Sequence, residues 1–215
     1  MRRIGAWALL ILVLALALGA GGFWAFWNYD LRWRPKTFHK GQAEIASLLD
    51  ASGWVSPGPS SGGHARKLYV VASRQDPAAD RWLAEELPKL KDAGVDTRVI
   101  LVARRDANGQ AGSTPIERAT VAQLWITRDW NLFKQWMAAP AWTAQGIPAT
   151  EGDMARMAVV ESGRQLVDRL TPLMKDNGVR FAYPTLVWWN AKGEMKGCAC
   201  RDPRSWRFVR RDLAG

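Results

Sequence analysis

From Ile4 to Trp27 the chain runs for 24 residues without a single charge. A stretch this long and apolar has to be helical and out of water, because only a helix satisfies its own backbone groups in lipid. Arg2 and Arg3 precede it, and Trp24, Trp27, Tyr29 and Trp33 form an aromatic belt at its far end. A cleaved signal peptide is the competing reading, with Ala15-Leu16-Ala17 as the cleavage site. The apolar run continues through Phe23-Trp24-Ala25-Phe26-Trp27, which cleavage would leave exposed to water, so an uncleaved anchor is preferred. Arg2, Arg3 and the terminal amino group favour an inward N-terminus and an outward domain. Arg32, Arg34, Lys36 and Lys40 follow the span closely and count the other way.

The expected division is a basic tail over 1–3, a transmembrane anchor over 4–27, a juxtamembrane helix and linker over 28–66, and a compact domain over 67–215. That domain is long enough for one core and short for two. The net charge of +10 favours anionic surfaces and partners without bearing on fold. Cys198 and Cys200 are the only cysteines, so no disulfide framework ties distant segments together. The sequence contains neither a Cys/His metal cluster nor a Gly-rich phosphate loop. No metal and no cofactor is expected.

Residues 37–54 read as a short amphipathic helix, and Ser56 to Gly63 as a Pro/Gly/Ser linker. Leu68 to Ser73 is an apolar strand, and Asp76-Pro77 opens a helix over 77–92 as N-cap and first helical residue. Pro88 predicts a kink in that helix. Val95 to Ala103 is a β-branched run that returns as a parallel neighbour of the first strand. Thr114-Pro115-Ile116-Glu117 is a capping box, and a further helix begins at Asp129. Residues 151–175 are helical again, with Met154, Met157, Val160, Val167, Leu170 and Met174 inward and a break or kink at Pro172. Leu186 to Trp189 and Glu194 to Cys200 form a hairpin about Asn190-Ala191-Lys192-Gly193. A two-residue loop would set Thr185 opposite Cys198 and Tyr183 opposite Cys200, and a bulge at Gly193 would shift this by one. Asp202-Pro203 starts the last helix.

This order of β-α-β, helical insert, aromatic-Pro-Thr, hairpin and final helix resembles the thioredoxin fold. It is most similar to the catalytic domain of the periplasmic disulfide isomerases DsbC and DsbG. The fold class implied is α/β, a thioredoxin-like mixed sheet with a helical insertion, behind a single transmembrane helix. In that family the first strand leads into Cys-x-x-Cys, and here the same place reads Asp76-Pro77-Ala78-Ala79. Tyr183-Pro184-Thr185 matches the loop whose proline is cis and faces the active site. Asn190 to Gly193 and Gly197 match the family's hairpin and the glycine before its last helix.

Thiol–disulfide exchange requires a thiolate and a resolving thiol, and Asp76 and Ala79 supply neither. Asp76 is better suited to capping the helix. The groove between the helix start and Pro184 retains the means to hold an extended peptide. The first expectation is therefore a redox-inactive binding or scaffold component of a bacterial envelope complex, anchored in the inner membrane with its C-terminal domain in the periplasm. The second is an oxidoreductase using Cys198 and Cys200, which share a face of their strand but lie near the limit of about 7 Å between Cα atoms for an internal bond. The third, resting on Arg201, Arg204, Arg207, Arg210 and Arg211, is a nucleic-acid-binding module, although a solvated face beside an anionic membrane accounts for the arginines more simply.

Overall fold

The computed structural model describes residues 2–58, 66–140, 144–150 and 152–214, with side chains from Leu12 onward. The chain divides into two compact units, residues 1–34 and 35–215. The first is a helix, α1 (Arg2–Tyr29), followed by a single 3-10 turn at Leu31–Trp33. At 1.5 Å per residue α1 is roughly 42 Å long, enough to cross a bilayer. Its described apolar side chains, Leu12 to Leu18 and the Phe23, Trp24, Phe26 and Trp27 cluster, are exposed. Length and apolarity suit a membrane span or a signal sequence equally.

The second unit begins with β1 (Lys36–Thr37) and α2 (Gln42–Asp50). There follow β2 (Lys67–Ala72), α3 (Pro77–Glu85), α4 (Leu87–Asp92) and β3 (Asp96–Leu101). A helical segment comes next, with α5 (Pro115–Thr127), α6 (Trp130–Ala138) and α7 (Met154–Asp176). The chain closes with β4 (Thr185–Trp189), β5 (Met195–Ala199) and α8 (Pro203–Ala214). The strands form one mixed sheet in the order β1-β5-β4-β2-β3, parallel between β2 and β3 and antiparallel elsewhere.

Both faces of the sheet are covered, and the two-residue period of a strand sorts its side chains between them. Leu68, Val70, Ala72, Val99, Leu101, Leu186 and Trp188 join one core, with Trp82 and Leu83 of α3, Leu124 of α5, Phe133 of α6 and Trp206 of α8. Tyr69, Val71, Ile100, Val102 and Val187 point the other way, onto Ile45 and Leu49 of α2 and Leu166, Leu170 and Met174 of α7. Trp125 reaches both cores, and its indole N–H donates to the Leu101 carbonyl at 2.8 Å.

The structure differs from the sequence reading in several places. The helix expected over 37–54 spans only 42–50. The segment around it is part of the fold: β1 pairs with β5, Phe38 is fully buried, and Val55 exchanges backbone hydrogen bonds with Val99. The compact unit thus starts at Pro35, where a boundary near 67 was expected. The linker expected over 56–63 lies, from residue 59, outside the described residues. Pro88 acts by dividing the expected helix into α3 and α4 at Glu86. Pro172 does not break α7, because it sits on the exposed side, where the Asp168 carbonyl it leaves unpaired can turn to water. Met154 and Met157 are 73% and 62% exposed. The inward stripe of α7 instead begins at Val160 and passes through Gly163, which lies against the Trp125 ring, to Leu166. In the hairpin, Thr185 faces Ala199 and Leu186 faces Cys198, the bulged register, with Gly193 at φ 76°.

A side chain at Gly197 would overlap the Phe38 ring and crowd the Leu186 carbonyl. Gly197→Ala should therefore lower stability by about 1–3 kcal/mol. Equilibrium urea denaturation checks this, and an unchanged midpoint would mean that residues 36–38 do not dock on β5.

Candidate functional site

The loop Ser73–Asp76 leaves β2 and turns into α3, with the Asp76 N–H donating to the Ser73 carbonyl at 3.1 Å. Asp76 Oδ1 accepts the N–H groups of Ala78 at 2.9 Å and Ala79 at 3.3 Å, and Pro77 fills the first helical position. These donors have no partner within the helix, so a carboxylate N-cap satisfies them and complements the positive end of the helix. Asp76 and Ala79 are buried, Ala78 is half-buried and Pro77 is exposed.

Across from this helix start lies the loop Phe181–Pro184, which enters β4. The Tyr183–Pro184 peptide bond is cis. Buried Thr185 fixes the loop, its hydroxyl donating to the Ala182 carbonyl at 2.7 Å. The Phe181 and Tyr183 rings meet edge to face at 5.4 Å. Burial pushes the Tyr183 phenol up to about 12; the charges of Asp76 and Asp168 act in the same direction, and Arg104 and Arg105 oppose them. The phenol therefore remains protonated at any physiological pH.

Arg201 joins the two loops. Its Nη1 donates to Asp76 Oδ2 at 2.8 Å and to the Tyr183 carbonyl at 2.9 Å. The carboxylate is thus shared between two backbone N–H groups and one guanidinium. A residue just past the end of β5 thereby ties the start of α3 to the proline loop.

Arg201 is placed by the residues immediately before it. Cys198 and Cys200 form a disulfide with 5.2 Å between Cα atoms. The chain achieves this by leaving the strand at Ala199 and bending, with the Arg201 N–H donating to the Ala199 carbonyl at 2.9 Å. The bend supplies the shortening that an extended pair two residues apart lacks. Cys200 donates its N–H to the Pro184 carbonyl at 3.0 Å and accepts the Trp206 indole N–H at 2.8 Å. Both sulfur-bearing residues are buried in the core under α3 and α8.

A second polar group lies behind the loop. Buried Arg74 stacks on the Trp136 ring at 4.8 Å, and its Nη1 contacts Met137 Sδ at 2.8 Å while Nη2 donates to the Ala139 carbonyl. Burial lowers its affinity for a proton, an effect that Asp80 and Glu117 offset. Glu117, also buried, has its carboxyl pushed up by desolvation, although Oε2 accepts from Gln75 Nε2 at 3.0 Å.

The expected residues therefore do converge: Asp76, Tyr183, Pro184 and Cys200 meet through Arg201 and the sheet end. Sequence reading placed Arg201 only among the arginines of the last helix, and Glu117 only in a capping box, which it does complete. Arg201 meets Asp76 across a separation of 125 residues, and no local pattern signals such a contact.

Asp76→Ala removes the cap and leaves Arg201 without its carboxylate, and should cost about 1–2 kcal/mol. Asp76→Asn keeps an oxygen for the Ala78 and Ala79 N–H groups, so its cost should be only a few tenths of that from the cap, with the lost ion pair added. Thermal melts of the two variants check the ordering, and equal losses would mean that capping contributes nothing.

Comparison with known proteins gives no matching family model and no matching curated protein. Among solved structures the chain is similar to the crystal structure of BcfH from Salmonella enterica Typhimurium, at TM-score 0.46 and 15% identity over 99% of this chain and 97% of that one.

Proposed function

We propose that this chain is an inner-membrane protein of a bacterial envelope whose outward-facing domain is thioredoxin-like, similar in plan to that of DsbC and DsbG, and works by binding a partner protein without thiol chemistry. Asp76 carries the reading. It occupies the helix start where a dithiol enzyme would place its nucleophile, and its oxygens are committed to the helix cap and to Arg201. A carboxylate so engaged does not attack a disulfide. What remains is the pairing of an α3 N-terminus with a cis-proline loop, which in a thioredoxin-like fold would border a groove for an extended segment of another chain. Support for the outward placement comes from the buried Cys198–Cys200 disulfide, since such bonds persist in oxidising compartments.

Installing thiols tests the fold assignment. In the double variant Asp76→Cys, Ala79→Cys, the residue 76 thiol would lie beside the Arg201 guanidinium and the positive end of α3, both of which favour the thiolate. With dithiothreitol as reductant, the variant should catalyse insulin reduction that the parent protein does not. A folded but inactive variant would count against a thioredoxin-like groove at this position.

The second reading, a thiol–disulfide oxidoreductase acting through Cys198 and Cys200, is favoured by their position against Pro184 and opposed by their burial. Acid-quenched alkylation in cells separates the two. The binding-protein reading expects both cysteines protected as one internal disulfide and no mixed-disulfide adduct. A partner trapped through Cys198 or Cys200, and lost on Cys198→Ala, would establish the redox role instead.

A further inference from the structure

Guanidinium groups present five N–H donors, and which of them are in use decides what else the group can hold. Arg201 spends Nη1 on two acceptors, Asp76 Oδ2 and the Tyr183 carbonyl, and thereby uses both hydrogens on that nitrogen. The guanidinium makes no other hydrogen bond or ion pair among the described residues. The edge formed by Nε and Nη2 is left over, and that edge matches the two oxygens of a carboxylate. About half of the side chain, 49%, is open to solvent.

The two acceptors that Arg201 reaches within the site are bonded by Nη1 and not by this edge. Asp76 is 9% exposed at its side chain, and its other oxygen is bonded to Ala78 and Ala79. The Tyr183 carbonyl, which an extended peptide would otherwise use for backbone pairing, is already taken by Nη1. A segment entering the groove therefore meets a guanidinium edge where it would have met a free backbone acceptor.

Ion pairs account for most of the charge around the site. Asp76 balances Arg201, and Asp168 and Glu161 balance Arg105 and Arg164. Arg104, whose field reaches both Tyr183 and Glu117, is in no ion pair among the described residues. Glu117 is buried, and desolvation pushes its carboxyl up while Arg104 and Arg74 act in the opposite direction.

We infer that Arg201 makes the mouth of this groove a carboxylate-binding site, and that the segment received there is an acidic stretch of a partner protein whose Asp or Glu side chain lies along the Nε–Nη2 edge. The inference rests on the groove reading given above and names the chemistry of its ligand. Arg201 acts in two directions at once, holding the groove's walls together with one nitrogen and recognising the ligand with the opposite edge.

The test uses full-length protein in detergent micelles and arrays of C-terminally amidated octapeptides, each sequence synthesised with Glu, Gln or Lys at position five. Retained sequences are then measured in solution by fluorescence anisotropy. Glu versions should bind about tenfold or more tightly than their Gln partners. Arg201→Gln should abolish that difference, and Arg201→Lys, which keeps the charge without the fork, should preserve only part of it. Thermal melts of both variants show that they are folded. Peptide binding with no Glu preference, or a preference unchanged in Arg201→Gln, overturns the carboxylate site and leaves the groove reading standing. If no peptide is retained, or if retention survives Ala78→Trp, the groove reading falls and this inference falls with it.

Discussion

The geometry of the site depends on one guanidinium nitrogen held between a carboxylate and a carbonyl. Arg201 Nη1 hydrogen-bonds the start of α3 and the Tyr183-Pro184 loop together across the core they share. The bond to Asp76 is charge-assisted, and the carboxylate is buried while the arginine is half open. A buried carboxylate with an accessible partner keeps much of the favourable charge interaction while the arginine retains part of its hydration. Exposed pairs such as Arg81–Glu85 contribute little by comparison.

The disulfide and this contact form one mechanical unit. The cysteines fix the bend at the end of β5, the bend turns Arg201 away from the strand direction, and the Cys200 N–H anchors the same bend to Pro184. Burial of the sulfurs and their packing against Trp206 match a structural cross-link better than a catalytic one, which has to be reached by a thiolate. The cysteine pair and the capped helix start, read separately in the sequence, are joined in the fold through Arg201.

What the sequence made readable follows the range of the interactions involved. The Asp76 cap, the Thr114–Glu117 capping box and the Asp129 cap each depend on contacts within three residues, and all three appear in the structure. The strands at 68–73 and 95–103 were readable as short apolar runs, and in the fold residues 68–72 and 99–102 divide alternately between the two cores. Features that depend on distant partners were not readable. Phe38 is core because Gly197 leaves room for it. The inner face of α7 is set by Trp125 lying against Gly163, so a stripe drawn through the large residues Met154 and Met157 points the wrong way. The hairpin register was open between two values until Gly193 took a left-handed conformation.

The same division explains why the binding chemistry proposed for Arg201 is invisible in one dimension. In the sequence it is one of five arginines between 201 and 211, and basic residues on a terminal helix are most simply a solvated face. In the fold these arginines part company. Arg210 pairs with buried Glu86 across α4, Arg204 is bound to Asp202 next to it, and Arg211 lies over the Phe208 ring. Arg201 reaches the helix start and the proline loop together, because the bend at Cys200 removes it from the direction of α8. A cluster of like charges in sequence is thus no guide to a common role; the backbone turn between Ala199 and Arg201 separates one of them from the rest and sets it between Asp76 and the Tyr183 carbonyl.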